Sequence, residues 1–574
     1  MDYGAVGDGS TDDAAAFTAA LAAGDVVLVP EVATFFKCES GITIPAGKEL
    51  RGYGARSRIE FIGSFTIGIT LSAGSILRSL YLDGDSASKS SGVVVRAFVD
   101  NFLIEDVIME DGKTYNLEIR GANGVVMGGQ QLNCAGSAIA LTTSAATGCR
   151  IEKTLFNGSV GFGNWVTGGA TLNTFRDLVM TQGGLELVGV TFESPSNTIE
   201  YCTAEYSGDN GISVTSNSNV VRFNRCRMNA NNGIGVYGSL NEVYGNFIEN
   251  NGTQNEGGGS ITYAGINMTP QFGGLCRGNL VWGNFIRETR ETSLQLYGIK
   301  FERMQTSGTT AYIPWVSGGA TGGRRYITAG TPMRVYRYSA TTPPANMGTV
   351  EPTDTTGNEV TIDGTNLGLY LGAFDTSLEI NYQGRVYGNV IVGCQYGLGF
   401  FGNQWTADLF VNNTILNPLL SCIQVGFVKT ASTISNNALI GGTDTFTRAS
   451  GSISHAITNN NCFGFSGAVS GGAAPVTVGG TNIQKAPSFV GGAIPQLPGE
   501  FALDARSALV GAGTDIAGIT DFCGDSFVAP YDIGAFRRDS CYRRSRDGKL
   551  DMARTRSQVV SRCRGMPPRY PEGL

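Results

Sequence analysis

Histidine is almost missing from this chain: one residue, His455, among 574. Acid–base chemistry must therefore use that one position or draw on Asp, Glu, Lys, Tyr and Arg. Proline is scarce as well, at 18 residues, and the 82 glycines follow no Gly-X-Y period, which excludes collagen and assigns them to turns. The 12 cysteines include no CxxC pair and read as scattered buried thiols rather than disulfides. No apolar run reaches the ~18 residues of a membrane span and no basic-then-apolar leader opens the chain, so a soluble protein with no membrane partner is expected, any export signal being absent or removed. The densest acidic stretches, DGDS from Asp83 and EDVIMEDG from Glu105, are too loose for a calcium site. No metal and no cofactor is expected.

Charge is unevenly placed. From Arg537 onward there are 11 Lys or Arg against 4 Asp or Glu, so the formal net charge of −7 becomes −14 for the body that precedes them. An acidic body argues against nucleic acid as a ligand. The basic segment 537–574 reads as a poorly ordered extension or a hold for an anionic partner.

What the chain has is a period. NTIEYCTAEYSGDNGISV begins at Asn197, NVVRFNRCRMNANNGIGV at Asn219 and NEVYGNFIENNG at Asn241, each start 22 residues after the last. Short β-branched and aromatic runs separated by Asn and Gly at this spacing are coils of a solenoid, on the order of 18 of them over the body, less insertions. Five residues into the coil stand Cys202, Asn224 and Asn246, and matching phrases supply Asn284, Asn389, Asn413, Asn437 and Asn461. Stacked one per coil, their carboxamides would donate to one neighbour and accept from the other, a buried asparagine ladder at a sharp turn. Ile199, Val221 and Val243 before it, and Ala204, Cys226 and Ile248 after it, point inward.

The opening segment DYGAVGDGSTDDAAAFTAAL, Asp2 to Leu21, resembles the start of the pectate-lyase-like superfamily of right-handed parallel β-helices, a group that includes phage tailspike depolymerases, pectin-active enzymes and alginate epimerases. With the coils, the resemblance spans roughly Asp2 to Gly467. It implies an all-β, right-handed parallel β-helix whose open apolar end is covered by a short helix, capped by Ser10 or Thr11 with Asp12 and Asp13 in its first turn. FALDARSALVGAGTDIAGITDFCGDSFVAPYDIGAF, Phe501 to Phe536, is similar to the closing segment of bacterial β-helix proteins. The expected organisation is a cap at 1–40, coils at 41–303, an insertion at 304–377, further coils and the closing segment at 378–536, and the tail at 537–574. The insertion, rich in Tyr, Thr and Val runs, reads as a small β module or a loop shaping a groove, and resembles sugar-binding or spacer modules of phage tail proteins.

Chemistry has to come from outward side chains. On the strand after each turn loop these are Ser213, Gly235, Asn267 and Lys300, followed by Thr215, Tyr237, Thr269 and Glu302; earlier coils add Glu118, Arg120, Trp165 and Glu186. A second outward column reads Asn157, Thr181, Glu205, Arg227, Glu249 and Arg287. Glu205 and Glu249 are two coils, ~10 Å, apart, a separation that overlaps an inverting glycosidase pair; the same Glu/Arg alternation is also what a stacked salt ladder looks like. Glu152, Arg176, Glu200 and Arg222 repeat the alternation and read as such a ladder.

The loop SGDNGISV, Ser207 to Val214, resembles the GDD segment of polygalacturonase-type hydrolases, with Asp209 at the first catalytic Asp, and GIKFER resembles their substrate-binding segment, with Lys300 at the Lys. Asn210 stands where the second Asp would be, and NNGIGVYGS, one coil later, lacks their His; His455 reads as structural. Asp209 with Glu205, Glu186 or Glu249 would serve hydrolysis, while Lys300, Tyr237, Arg120 and Arg227 would serve β-elimination on a uronate. The expectation is an extracellular or virion-surface polysaccharide depolymerase of tailspike type acting by hydrolysis, with Asp209, Glu205, Glu249 and Glu186 catalytic and Arg227, Tyr237, Lys300, Glu302, Trp165 and Arg120 binding substrate. A polysaccharide lyase and a non-enzymatic glycan-binding adhesin are the alternatives. The tailspike likeness adds a homotrimer by analogy.

Overall fold

The computed structural model describes residues 2–302, 385–464 and 481–536 apart from internal gaps of up to nine residues, and between 303 and 384 the course of short strands. Three parallel sheets run along the molecule, two of 15 strands and one of 14, each strand pairing with its counterpart one coil on. In each coil the chain passes through the first sheet (as at Val220–Arg222), the second (Arg225–Arg227) and the third (Ile234–Val236). This is the parallel β-helix that the period predicts.

One local device repeats at the corners. A residue in the left-handed region turns the chain and an Asn follows it: Phe223 (φ 59°) before Asn224 between the first and second sheets, Met228 (φ 53°) before Asn229 between the second and third, and Ser218 (φ 58°) before Asn219 where the third leads into the first. Each Asn belongs to a ladder. In the first, Asn224 Nδ2 donates to Asn246 Oδ1 at 3.1 Å, Asn246 to Asn284 at 2.9 Å, and Asn284 to Asn389 at 3.0 Å. In the second, Asn229 Nδ2 donates to Asn251 Oδ1 at 2.8 Å and Asn251 to Gln295 Oε1 at 3.0 Å. In the third, the backbone N–H groups of Asn197, Asn219 and Asn241 donate to the Oδ1 of the next Asn at 2.8–2.9 Å. The Asn residues that mark coil starts are thus structural as well.

Two expectations are corrected. The first ladder runs from Asn437 to Asn460, not Asn461, at 2.9 Å, because the last coil is one residue shorter before its corner. The N-terminal helix, Ala14–Ala23, begins after Asp13, and neither Ser10 nor Thr11 caps it. Their N–H groups donate to Asp8 at 2.8 and 2.7 Å, while Asp13 accepts from Val6 and Gly7. The helix does close the solenoid: Ala14, Phe17 and Leu21 join the coil interior, and Phe17 meets Phe36 edge-on at 5.4 Å.

The interior holds Ile199, Val221, Val243, Ala204, Cys226 and Ile248 with no exposure above 1%. Among the described residues nine cysteines are free, eight of them buried. Across the insertion the solenoid continues without a break in register, Tyr297–Glu302 pairing directly with Tyr396–Phe401; between them lie antiparallel strands from Thr306 to Leu371. Past the last coil, the closing segment packs Phe489, Phe501, Leu509 and Ile533 against Phe285, Val390, Leu416 and Ala438 of the second sheet. In these later coils the outer side of the second sheet is therefore occupied by the chain itself.

Candidate active site

The outer side of the third sheet carries a continuous register of side chains: Arg96, Glu118, Ala140, Trp165, Thr191, Ser213, Gly235, Asn267 and Lys300 stand on successive paired strands. Their neighbours Ile212, Ile234, Ile266 and Ile299 are fully buried inside, so the alternation holds the column outward.

Asp209 lies at the corner that leads from Thr203–Glu205 into the third-sheet strand Ile212–Val214. It is half-buried, and desolvation pushes its carboxyl above the ordinary Asp value against the opposing hydrogen bonds from Asn231 and the Asn210 backbone. The phenol of Tyr263 is close enough to feel the Asp209 charge. Asn210, at the position of the second Asp in the resembling hydrolases, is taken up by structure. Its Oδ1 accepts from Asn232 Nδ2 at 2.8 Å and its Nδ2 donates to the Tyr237 hydroxyl at 3.1 Å. Tyr237 does not project into solvent; it lies back over Gly235, where a Cβ would stand 2.6 Å from its hydroxyl oxygen, and it is buried. Asp209, Asn210, Asn231, Tyr237 and Tyr263 form one corner of the third sheet.

The remaining candidates separate by sheet. Glu205 and Glu249 stand on the second sheet, not the third. Glu205 is paired with Arg227 at 2.8 Å and Arg225 at 3.7 Å, and Glu249 with Arg287 at 2.5 Å. With both carboxylates matched by arginine this column is a salt ladder, and Arg227 is one of its rungs. The parallel column is one too: Glu200 meets Arg222 at 2.6 Å and Arg176 at 3.7 Å. Lys300 is in the third-sheet register, buried, with its ammonium 5.5 Å from the Tyr297 ring centre. Glu302 ends the same strand. Glu186 and His455, and the side chain of Glu302, lie outside the described residues.

At the N-terminal part of the same sheet, Trp165 and Arg120 line an open cleft of about 620 Å³ together with Arg96, Tyr115 and Glu118. Glu118 is 1% exposed and accepts from Arg96, from Arg120 Nη2 at 2.6 Å and from Thr142 Oγ1 at 3.1 Å. Trp165 and Tyr115 face each other at 6.4 Å. Arg96 and Tyr115 escape a reading based on the central coils alone. The signal for Arg96 is its spacing of 22 residues from Glu118, one coil period, as its strand pairing confirms.

Among the described residues no three His, Cys, Asp or Glu side chains gather as a metal ion would require, and no helix is long and apolar enough to cross a membrane.

Residues 185–307 match the family model of the right-handed β-helix region. Comparison with curated proteins gives no match. Among solved structures, the chain is similar to the A-module of the Azotobacter vinelandii mannuronan C-5 epimerase AlgE6, with 19% identity over 52% of this chain and 88% of that one and a TM-score of 0.46. It is similar to a tailspike protein mutant of E. coli bacteriophage HK620 in complex with pentasaccharide, with 10% identity over 83% and 75% and a TM-score of 0.40. It is also similar to the catalytic unit of a GH87 α-1,3-glucanase from Streptomyces thermodiastaticus, with 13% identity over 82% and 67% and a TM-score of 0.32.

Proposed function

We propose that the protein is a polysaccharide depolymerase that lays its substrate along the outer side of the third sheet and cleaves it by hydrolysis, with Asp209 as general acid. One observation carries the reading: a desolvated carboxyl, kept toward its protonated form, stands at the corner entering that sheet beside the Asn210–Tyr237 pair. A carboxylic acid kept neutral can pass its proton to the leaving glycosidic oxygen as the C–O bond breaks. Water then adds to the anomeric carbon, and its proton goes to a second carboxylate. Glu186 is proposed for that base, since Glu205 and Glu249 are held by arginines. Glu186 falls in sequence between the strands Val179–Thr181 and Val190–Phe192, as Asp209 falls in sequence between Thr203–Glu205 and Ile212–Val214 one coil later. Lys300, Glu302, Trp165 and Arg120 bind the saccharide along the sheet, and Tyr237, first expected among them, instead holds the Asp209 corner through Asn210.

A second reading, β-elimination on a uronic acid polymer, is favoured by Lys300 lying 5.5 Å from the Tyr297 ring centre, a cation near a phenol on the same strand. With either reading go an extracellular or virion-surface location, a saccharide partner and a homotrimer, the last measurable by sedimentation. The module boundaries at 304–377 and 537–574 remain part of the proposal.

Incubation with a panel of bacterial and plant polysaccharides separates the cases. New reducing ends without the ultraviolet absorbance of an unsaturated uronate are expected for the hydrolase. That absorbance would transfer the assignment to a lyase, and retained binding without fragmentation would make the protein an adhesin.

A further inference from the structure

The cleft at the N-terminal end of the third sheet has more positive charge than its own residues neutralise. Arg96 and Arg120 both bond to the single carboxylate of Glu118, which is buried and also accepts from Thr142. Two guanidiniums carry more N–H donors than one carboxylate can accept. Both guanidiniums lie 5.1 Å from the centre of the Phe98 ring, which gives each a second contact. Phe98 itself is 43% exposed. Among the described residues, the charged ones that line the cleft are Arg96, Glu118 and Arg120, a net charge of +1 on a protein whose formal charge is −7. Trp165 and Tyr115 stand across from them, with ring centres 6.4 Å apart at 45°.

We infer that this cleft is a subsite for an acidic saccharide, in which the carboxylate of a uronic acid residue is taken by Arg120 and Arg96 while the sugar face rests on Trp165. The inference rests on the reading of the third sheet as the saccharide groove and adds the substrate class. An aromatic wall alone would hold neutral sugars equally well, but fixed, pre-oriented guanidiniums select a planar carboxylate through paired N–H···O bonds. Glu118 is a positioning residue here: it orients the arginines and is itself covered. The subsite is four strand spacings from the Asp209 corner, Glu118 to Ala140, Trp165, Thr191 and Ser213, or ~19 Å. It therefore serves to bind and register a polymer rather than to cleave it.

The test is calorimetric binding of galacturonate, mannuronate and glucose oligomers of equal length to the full chain, run beside the cleavage assay. An acidic oligomer is expected to bind and the glucose oligomer not, with affinity falling steeply as salt is raised from about 0.05 to 0.5 M. Arg120→Gln should weaken binding about tenfold or more, and Arg120→Lys should restore it in part. Circular dichroism and the unfolding midpoint check that each variant is folded, and the salt series needs no variant at all. Equal binding of neutral and acidic oligomers, binding indifferent to salt, or no acidic oligomer bound overturns the inference. Cleavage of a neutral glucan with no acidic binding does so while leaving the hydrolase reading intact. Acidic binding without cleavage of any polymer does the reverse.

Discussion

The side-chain amide of Asn210 donates to the hydroxyl of Tyr237 at 3.1 Å, tying the corner that carries Asp209 to the next coil of the third sheet. The bond gives Asn210 a structural part at this corner. Asn210 also receives both the backbone and side-chain N–H of Asn232, at 3.2 and 2.8 Å. A carboxylate there could accept but would have nothing to donate to the phenol oxygen.

Asp209 should give the protein a pH signature. Burial raises its carboxyl above the ordinary 3.8, so the stability its neutral form contributes is fully present below that value and is lost as pH rises through the higher folded-state value. Asp209→Asn carries no charge to desolvate, so its unfolding midpoint should gain on that of wild type as pH is raised across this window. Activity should fall by about 10² or more in the variant, and the wild-type rate should decline on the alkaline side as the acid loses its proton. Urea unfolding and kcat/KM against pH measure both. A variant within a few-fold of wild-type rate removes Asp209 as the acid.

Gly235 is where Tyr237 finds its place. A Cβ there would meet the Tyr237 hydroxyl at 2.6 Å and Cε2 at 2.8 Å, so Gly235→Ala should cost about 1–3 kcal/mol through displacement of the ring. In a Tyr237→Ala background the same change should cost far less, a non-additivity visible in a double-mutant cycle by urea unfolding.

The period made the coils, the inward residues and the Glu200–Arg222 ladder legible, because spacing alone fixes which residues stack, but it left Glu205 and Glu249 open between a catalytic pair and a second ladder. Other features were harder to read because they depend on what a neighbouring coil presents. Alternation directs the Tyr237 side chain outward, but the missing Cβ of Gly235 lets the ring fold back. The raised carboxyl of Asp209 comes from desolvation within the folded corner, which the loop SGDNG does not disclose. Arg96 matters because Glu118 and Arg120 come to lie beside it one coil later.

The slip at the end of the first ladder has a measurable consequence. Asn460 receives the side-chain amide of Asn437 at 2.9 Å and donates to the Ile434 and Thr458 carbonyls at 3.0 Å and to Asn482 at 3.1 Å. Asn461 accepts one bond, from Lys485 N at 2.9 Å. Asn460→Ala should therefore destabilise by about 2–4 kcal/mol, leaving several buried groups unmatched, and Asn461→Ala by about 1 kcal/mol. Equal costs in chemical unfolding would return the ladder to Asn461.

Glu205 tests whether the second sheet takes part in the chemistry. Glu205 is 8% exposed, and its carboxylate sits between Arg225 and Arg227. In Glu205→Gln the arginines lose a charged partner but keep a neutral acceptor in place, and both are partly open to solvent, so the expected loss of stability is about 1–3 kcal/mol, below that of breaking a fully buried pair. The rate of polysaccharide cleavage should stay within a few-fold of wild type below the new unfolding midpoint. Glu249→Gln should behave alike through Arg287. A loss of 10² or more in kcat with unchanged stability would instead make this ladder catalytic, and the substrate groove would then have to be placed on the second sheet.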